Sequence, residues 1–168
     1  MNIYLGNIIP GADNKNALAI KVATSILSNR LYHILREKQG LAYSVGASST
    51  FDKNFGWFYS VIGTEAVNYQ KAIDGIILQI DKLKLDGPTL GELRKAKNKI
   101  WGRLMSAKLS SINQAYYLGL DEYLGHPLGY DKQFLVSLSN VTAESIRRVA
   151  SKYFRNDVYI LATAGKKL

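Results

Sequence analysis

The chain contains no cysteine, which removes disulfides and thiolate metal sites and leaves the redox compartment undecided. It has two histidines, His33 and His126, too far apart in sequence to form a paired-histidine helix motif. Glu37 stands four residues after His33, but a single His–carboxylate pair is not a metal site, because zinc needs three protein ligands. His33 reads as a helix-surface or packing residue and His126, just before Pro127, as a turn residue. No Gly-x-Ser-x-Gly elbow occurs, and Ser44 and Ser48 lack an evident base, so serine catalysis has no foothold. Glycine-rich phosphate loops are missing as well. No apolar run approaches the ~18 residues that span a bilayer. The stretch MNIYLGNIIPGADNK lacks a basic start followed by apolar residues and does not read as a secretory signal.

What is present is ordinary for a globular chain. With 168 residues, 47% hydrophobic and 21% charged, the sequence supports one domain spanning 1–168 with a real core. The formal net charge is +9, from 22 Lys and Arg against 13 Asp and Glu. Such a balance can serve nucleic acid, an anionic membrane or an acidic peptide. The basic residues, however, are spread over several helical segments, with no aromatic RNA-binding strand motif beside them. Solubility is the plainer reading, and no nucleic-acid partner is expected. Asp74, Asp81 and Glu92, set among lysines, read as solvated surface.

Apolar–polar alternation from Asn2 to Pro10 predicts a strand, and Pro10 to Asn14 is turn chemistry. Ile20, Ala23, Leu27, Leu31 and Ile34 recur at threes and fours, predicting a helix from about Lys15 to Lys38, with a break expected near Ser28-Asn29. Gly40 suits the left-handed position after its end. Ala42–Thr50 and Phe55–Thr64 read as a hairpin turning at Asp52-Lys53-Asn54. The second strand is bulky on both faces, which suggests a central strand or one that meets a partner. Asn68–Asp86 reads as a helix, broken by Gly87-Pro88. Thr89 to Glu92 is a capping box opening a helix that reaches about Leu120. A loop at His126, Pro127 and Gly129, a short helix over Asp131–Leu138, a Thr142-capped helix and a strand over Val158–Thr163 follow. This order predicts an α+β fold: two layers, a mostly antiparallel sheet with helices packed on one face.

The stretch from Ser28 to Ala47, SNRLYHILREKQGLAYSVGA, crosses the junction between that first helix and the hairpin. Arg36 closes the helix and Tyr43 opens the strand, so two large hydrogen-bonding side chains can converge outside the core. Read from the residues alone, Arg36 is a helix C-terminal charge favoured by the macrodipole and Tyr43 a strand residue. The same stretch resembles the SRLY…LREK…GLAYSV block of the insulinase/pitrilysin family of zinc metallopeptidases, which includes the mitochondrial processing peptidases. The block belongs to the homologous half that carries no zinc.

That resemblance implies a processing-peptidase-like metallohydrolase fold, and a chain that is the zinc-free, C-terminal half of a metalloendopeptidase or a separate non-catalytic subunit. It implies that this chain alone is inactive and holds no cofactor, with zinc in a homologous partner domain or subunit. It implies that Arg36 and Tyr43 face the zinc across a closed chamber, positioning an unstructured peptide and stabilising the oxyanion. Gly40 and Leu41 would shape the turn, and Glu37 and Lys38 would flank it. The strand Phe55–Thr64 is expected to help hold an extended peptide by edge pairing. Self-association through the partner-facing surface is expected of an isolated half. The rival expectation is an inactive family relative serving as a structural or assembly subunit.

Overall fold

The computed structural model describes residues 1–165; the last three residues of the expected 1–168 span lie outside the described residues. Four strands form one antiparallel sheet: β1 (Asn2–Pro10), β2 (Ser44–Phe51), β3 (Phe55–Gly63) and β4 (Ile160–Ala164), in the order β2-β3-β1-β4. The helices are α1 (Ala17–Leu31), α2 (Tyr69–Leu85), α3 (Leu90–Ala107), α4 (Ser111–Leu124), α5 (Tyr130–Ser139) and α6 (Ala143–Tyr153). The expected α+β architecture is therefore the observed one.

Strand alternation explains the two layers. Ile3, Leu5 and Ile9 of β1 and Phe58 and Ile62 of β3 point into the core, matched across the ladder as Ile3↔Ile62 and Ile9↔Gly56. Residues between them, Tyr4, Ile8, Phe55 and Trp57, lie on the other face and remain exposed. Side chains alternate across a strand, so one face meets helices and the other does not. The core is completed by Ile20, Leu27, Leu31 and Leu35 from the first helical segment, Ile76 and Ile80 from α2, and Ile146 from α6. Phe58 stacks on Phe154 at the end of α6, with ring centroids 3.9 Å apart.

Three sequence expectations need correction. The helix starting at Leu90 ends at Ala107, and a separate α4 begins at Ser111. Ser110 adopts an extended conformation and its hydroxyl accepts the Asn113 N–H, at 3.3 Å. A serine cap thus starts a new helix where apolar periodicity alone ran on. The break in the first helix falls not at Ser28-Asn29 but after Leu31, where the chain widens into a π-helical turn over Tyr32–Lys38. Finally, β3 cannot offer an edge to a peptide. It is hydrogen-bonded to β1 on one side and β2 on the other, so its backbone groups are already used, and the edge strands of this sheet are β2 and β4.

Candidate functional site

The Ser28–Ala47 stretch divides into residues that hold the fold and residues that face outward. Leu31 and Leu35 are fully buried and Leu41 nearly so; their burial anchors the helix end and the following turn. Arg30 is also structural. Its Nε donates to Glu92 Oε1 at 2.6 Å, and its Nη2 donates to Glu92 Oε2 at 2.9 Å and to the Gly87 carbonyl at 2.7 Å. Glu92 simultaneously accepts the Thr89 N–H at 2.8 Å, closing the capping box of α3. The hydrogen bond from Arg30 is the main reason the Glu92 carboxyl lies below its ordinary pKa. Glu92 is therefore a clamp between α1 and α3, not the solvated surface carboxylate expected from its neighbours. Sequence reasoning saw the capping box but not the arginine that shares its carboxylate, because Arg30 lies 62 residues away. Asp81 is likewise engaged, accepting the Asn156 side-chain amide at 2.7 Å.

The outward-facing members follow from the π turn. In a π-helical turn each N–H reaches back five residues instead of four, as Gln39 N–H does to the Ile34 carbonyl at 3.1 Å. Gly40 then takes φ +62°, a left-handed conformation open to glycine at no steric cost. Leu41 N–H returns to the Leu35 carbonyl at 2.8 Å. The Thr64 hydroxyl donates to the Leu41 carbonyl, and Tyr43 N–H donates to the Gly63 carbonyl at 3.2 Å. The loop that carries Tyr43 is thus fastened at both ends.

Arg36 is exposed at the end of the π turn, with its guanidinium carbon 5.0 Å from the Tyr32 ring centroid. Tyr43 is 64% exposed. Its ring lies over Gly63, where an added Cβ would stand 2.7 Å from Tyr43 Cε2. Glycine at 63 is what lets the ring settle there. The two side chains stand on either side of the Gly40 turn but do not bond to one another. Among the described residues neither the Arg36 guanidinium nor the Tyr43 hydroxyl has a hydrogen-bond partner. Glu37 and Lys38 are exposed, as their flanking positions suggested.

The histidines are engaged elsewhere. His33 Nδ1 lies 2.6 Å from Glu37 Oε2 on the exposed helix surface. His126 Nδ1 lies 3.0 Å from Asp121 Oδ1, and its ring stacks on Tyr130 with centroids 3.7 Å apart. Among the described residues no three His, Cys, Asp or Glu side chains gather into a metal-holding cluster. No helix among them is long and apolar enough to cross a membrane.

Comparison with known proteins places this geometry in a family. Residues 1–100, which contain Arg30, Arg36 and Tyr43, match the model of the peptidase M16 inactive domain. The chain is 32% identical over 139 residues to the uncharacterized zinc protease YmxG of Bacillus subtilis, covering 81% of this chain and 33% of YmxG. It is 28% identical over 109 residues to the chloroplastic stromal processing peptidase of Pisum sativum, covering 64% of this chain and 8% of that protein. The chain thus spans a third or less of these relatives' lengths. The crystal structure of a peptidase M16 inactive domain from Pseudomonas fluorescens superposes with a TM-score of 0.84 at 23% identity, over 99% of this chain and 42% of that one. The inactive peptidase domain of a Bordetella parapertussis protein superposes with a TM-score of 0.77 at 16% identity, over 96% and 91%. Those two likenesses speak to the fold, and they extend it through α4, α5 and α6, beyond the matched first 100 residues. The chain belongs to the peptidase M16, or insulinase/pitrilysin, family and corresponds to its inactive, zinc-free domain.

Proposed function

We propose that this chain is one domain that closes a wall of the peptide chamber in a zinc metalloendopeptidase, supplying Arg36 and Tyr43 to the reaction. The zinc, its water and the glutamate base come from a homologous half. The observation that carries this reading is the pair of exposed donors on either side of the Gly40 turn, each held on a fastened backbone and neither with a hydrogen-bond partner among the described residues.

Amide hydrolysis passes through a tetrahedral intermediate whose oxygen bears developing negative charge. Donors aimed at that oxygen stabilise the transition state more than the planar carbonyl, and only such a difference raises kcat. Arg36 offers a fixed fork of N–H donors with a permanent charge, and Tyr43 a single O–H on a rigid ring. Tyr32 beneath the guanidinium restricts where Arg36 can point, so less rotamer freedom is lost when a peptide carbonyl arrives. Zinc supplies a nucleophilic water when it is bound in the partner half. The residues of this chain bind and orient the peptide.

Reconstitution tests the reading. The chain alone, its zinc-bearing partner half alone, and the two together are assayed on a quenched fluorescent peptide of unstructured sequence. Turnover only in the mixture, abolished by a chelator, is the expected result. A zinc-loaded, assembled pair that cleaves nothing would turn the assignment toward a structural subunit of an assembly.

A further inference from the structure

A cleft of about 990 Å³ opens between α1 with β2 on one side and α3, α4 and α5 on the other. Its size is at the upper end of small-molecule sites, and Arg36 and Tyr43 do not line it. Lys21, Ser25 and Ser28 lie three or four residues apart on α1, so they share one helix face, and all three line the cleft. Lys99 and Arg103, four apart on α3, share a second face that also lines it. Lys99 Nζ donates to Asn29 Oδ1 at 3.0 Å, fixing these two faces next to each other. Ser49 of β2, on the same sheet face as Phe58, adds a further hydroxyl-bearing residue to the lining.

The charges of this cleft do not balance. Its carboxylates Asp121 and Asp131 are held by Lys108, at 4.0 and 2.6 Å, and Asp121 also by His126. Asp13 is exposed at the margin. Among the described residues, Lys21, Lys99 and Arg103 have no carboxylate within salt-bridge distance. Lys21 is an exposed residue at the cleft, its ammonium 5.9 Å from the Phe134 ring centroid, and desolvation by the surrounding atoms lowers its pKa. Lys99 is lowered by desolvation first, then by repulsion from Arg103 and Lys95. Lys99 and Arg103 repel one another and Lys99 loses hydration, so this pair costs free energy in the empty cleft. An anion seated between them removes both costs at once.

We propose that this cleft binds a small, multiply charged oxyanion, with Lys21, Lys99 and Arg103 meeting its charge and Ser25 and Ser28 donating hydrogen bonds. Ammonium, guanidinium and hydroxyl donors on two facing helices suit the several oxygens of a polyphosphate or a polycarboxylate. The site is separate from the peptide-facing pair and does not depend on how that pair functions.

Calorimetric titration of the 168-residue chain with tripolyphosphate and, separately, with citrate, at fixed ionic strength, tests it. Saturable one-site binding is expected for at least one of them, with the tighter ligand identifying phosphate or carboxylate chemistry. At a hundredfold excess over Kd the melting temperature should rise by roughly 5 °C or more. Lys21→Gln and Arg103→Gln should each weaken binding about tenfold, the loss typical of a hydrogen bond to a charged group. Lys82→Gln, on an exposed part of α2 away from the cleft, should leave it unchanged. If Lys82→Gln weakens binding as much as Lys21→Gln, the ligand is answering the net charge of the chain and the site is refuted. Absence of binding by both ligands at millimolar concentration refutes it equally.

Discussion

Replacing Arg30 with methionine keeps the aliphatic stem and removes three donated hydrogen bonds, two to the Glu92 carboxylate and one to the Gly87 carbonyl. The pair is shielded but not sealed, with side-chain exposures of 15% for Arg30 and 30% for Glu92. Breaking a fully buried ion pair costs about 3–5 kcal/mol, whereas an exposed pair is worth about 1 kcal/mol or less. The partial shielding puts Arg30→Met at about 2 kcal/mol of lost stability. For a chain of this size that is about 4–8 °C in Tm. Because Arg30 holds the Glu92 carboxyl below its ordinary pKa in the folded state, the stabilisation is complete above the unfolded carboxyl value of about 4.3. It is lost as the pH falls through the lower folded value, when the carboxylate takes up its proton. Urea unfolding of wild type and variant, followed by circular dichroism at pH 7 and at successively lower pH, gives both numbers. A gap under about 0.5 kcal/mol at pH 7, or one that widens on acidification, refutes the clamp.

Four further outcomes follow from the same geometry. Leu35→Ala removes a fully buried side chain and should cost about 2–5 kcal/mol, measured by the same unfolding experiment. Gly63→Ala would place a methyl group 2.7 Å from the Tyr43 ring. It should displace the ring and lower turnover of the assembled enzyme while changing the unfolding free energy by no more than about 1 kcal/mol. Ser110→Ala deletes the α4 cap at about 1 kcal/mol. That loss should appear as faster amide exchange confined to the first turn of α4, because α4 buries no residue. Glu92→Gln keeps hydrogen-bonding capacity but removes the charge, and its stability should lose the acid dependence assigned to Glu92.

The sequence was legible where one signal had one reading. The alternation of β1, the Gly40 helix end, the Asp52 turn and the Thr89 box all reappear, because each depends on neighbours within a few residues. The bulk of Phe55, Trp57, Phe58 and Ile62 suggested a central strand or one that meets a partner; β3 is internal in the sheet, while Phe55 and Trp57 leave one of its faces exposed. That same central position is why the expected peptide edge on β3 failed, as β1 already occupies it. The α3–α4 break was missed because Leu104, Ala107 and Leu120 continue an apolar rhythm across Ser110. The π turn was invisible, since an extra residue per turn leaves no compositional mark. Arg30 illustrates the larger gap: a basic residue inside a recognised block is bound to a partner in a different helix, and spacing alone carries no trace of it. Arg36 and Tyr43 lie in the block that matches the family, on either side of the left-handed Gly40, and the role given to them is a proposal.

The central claim is that this zinc-free domain takes part in the chemistry through Arg36 and Tyr43. The most direct measurement is kcat and KM of the assembled, zinc-loaded pair with the wild-type chain, Arg36→Ala and Tyr43→Phe. Loss of an oxyanion donor predicts a fall in kcat of about tenfold or more for each substitution, exceeding any change in KM. Values of kcat within twofold of wild type for both variants, in a pair that still assembles and binds zinc, would contradict the account.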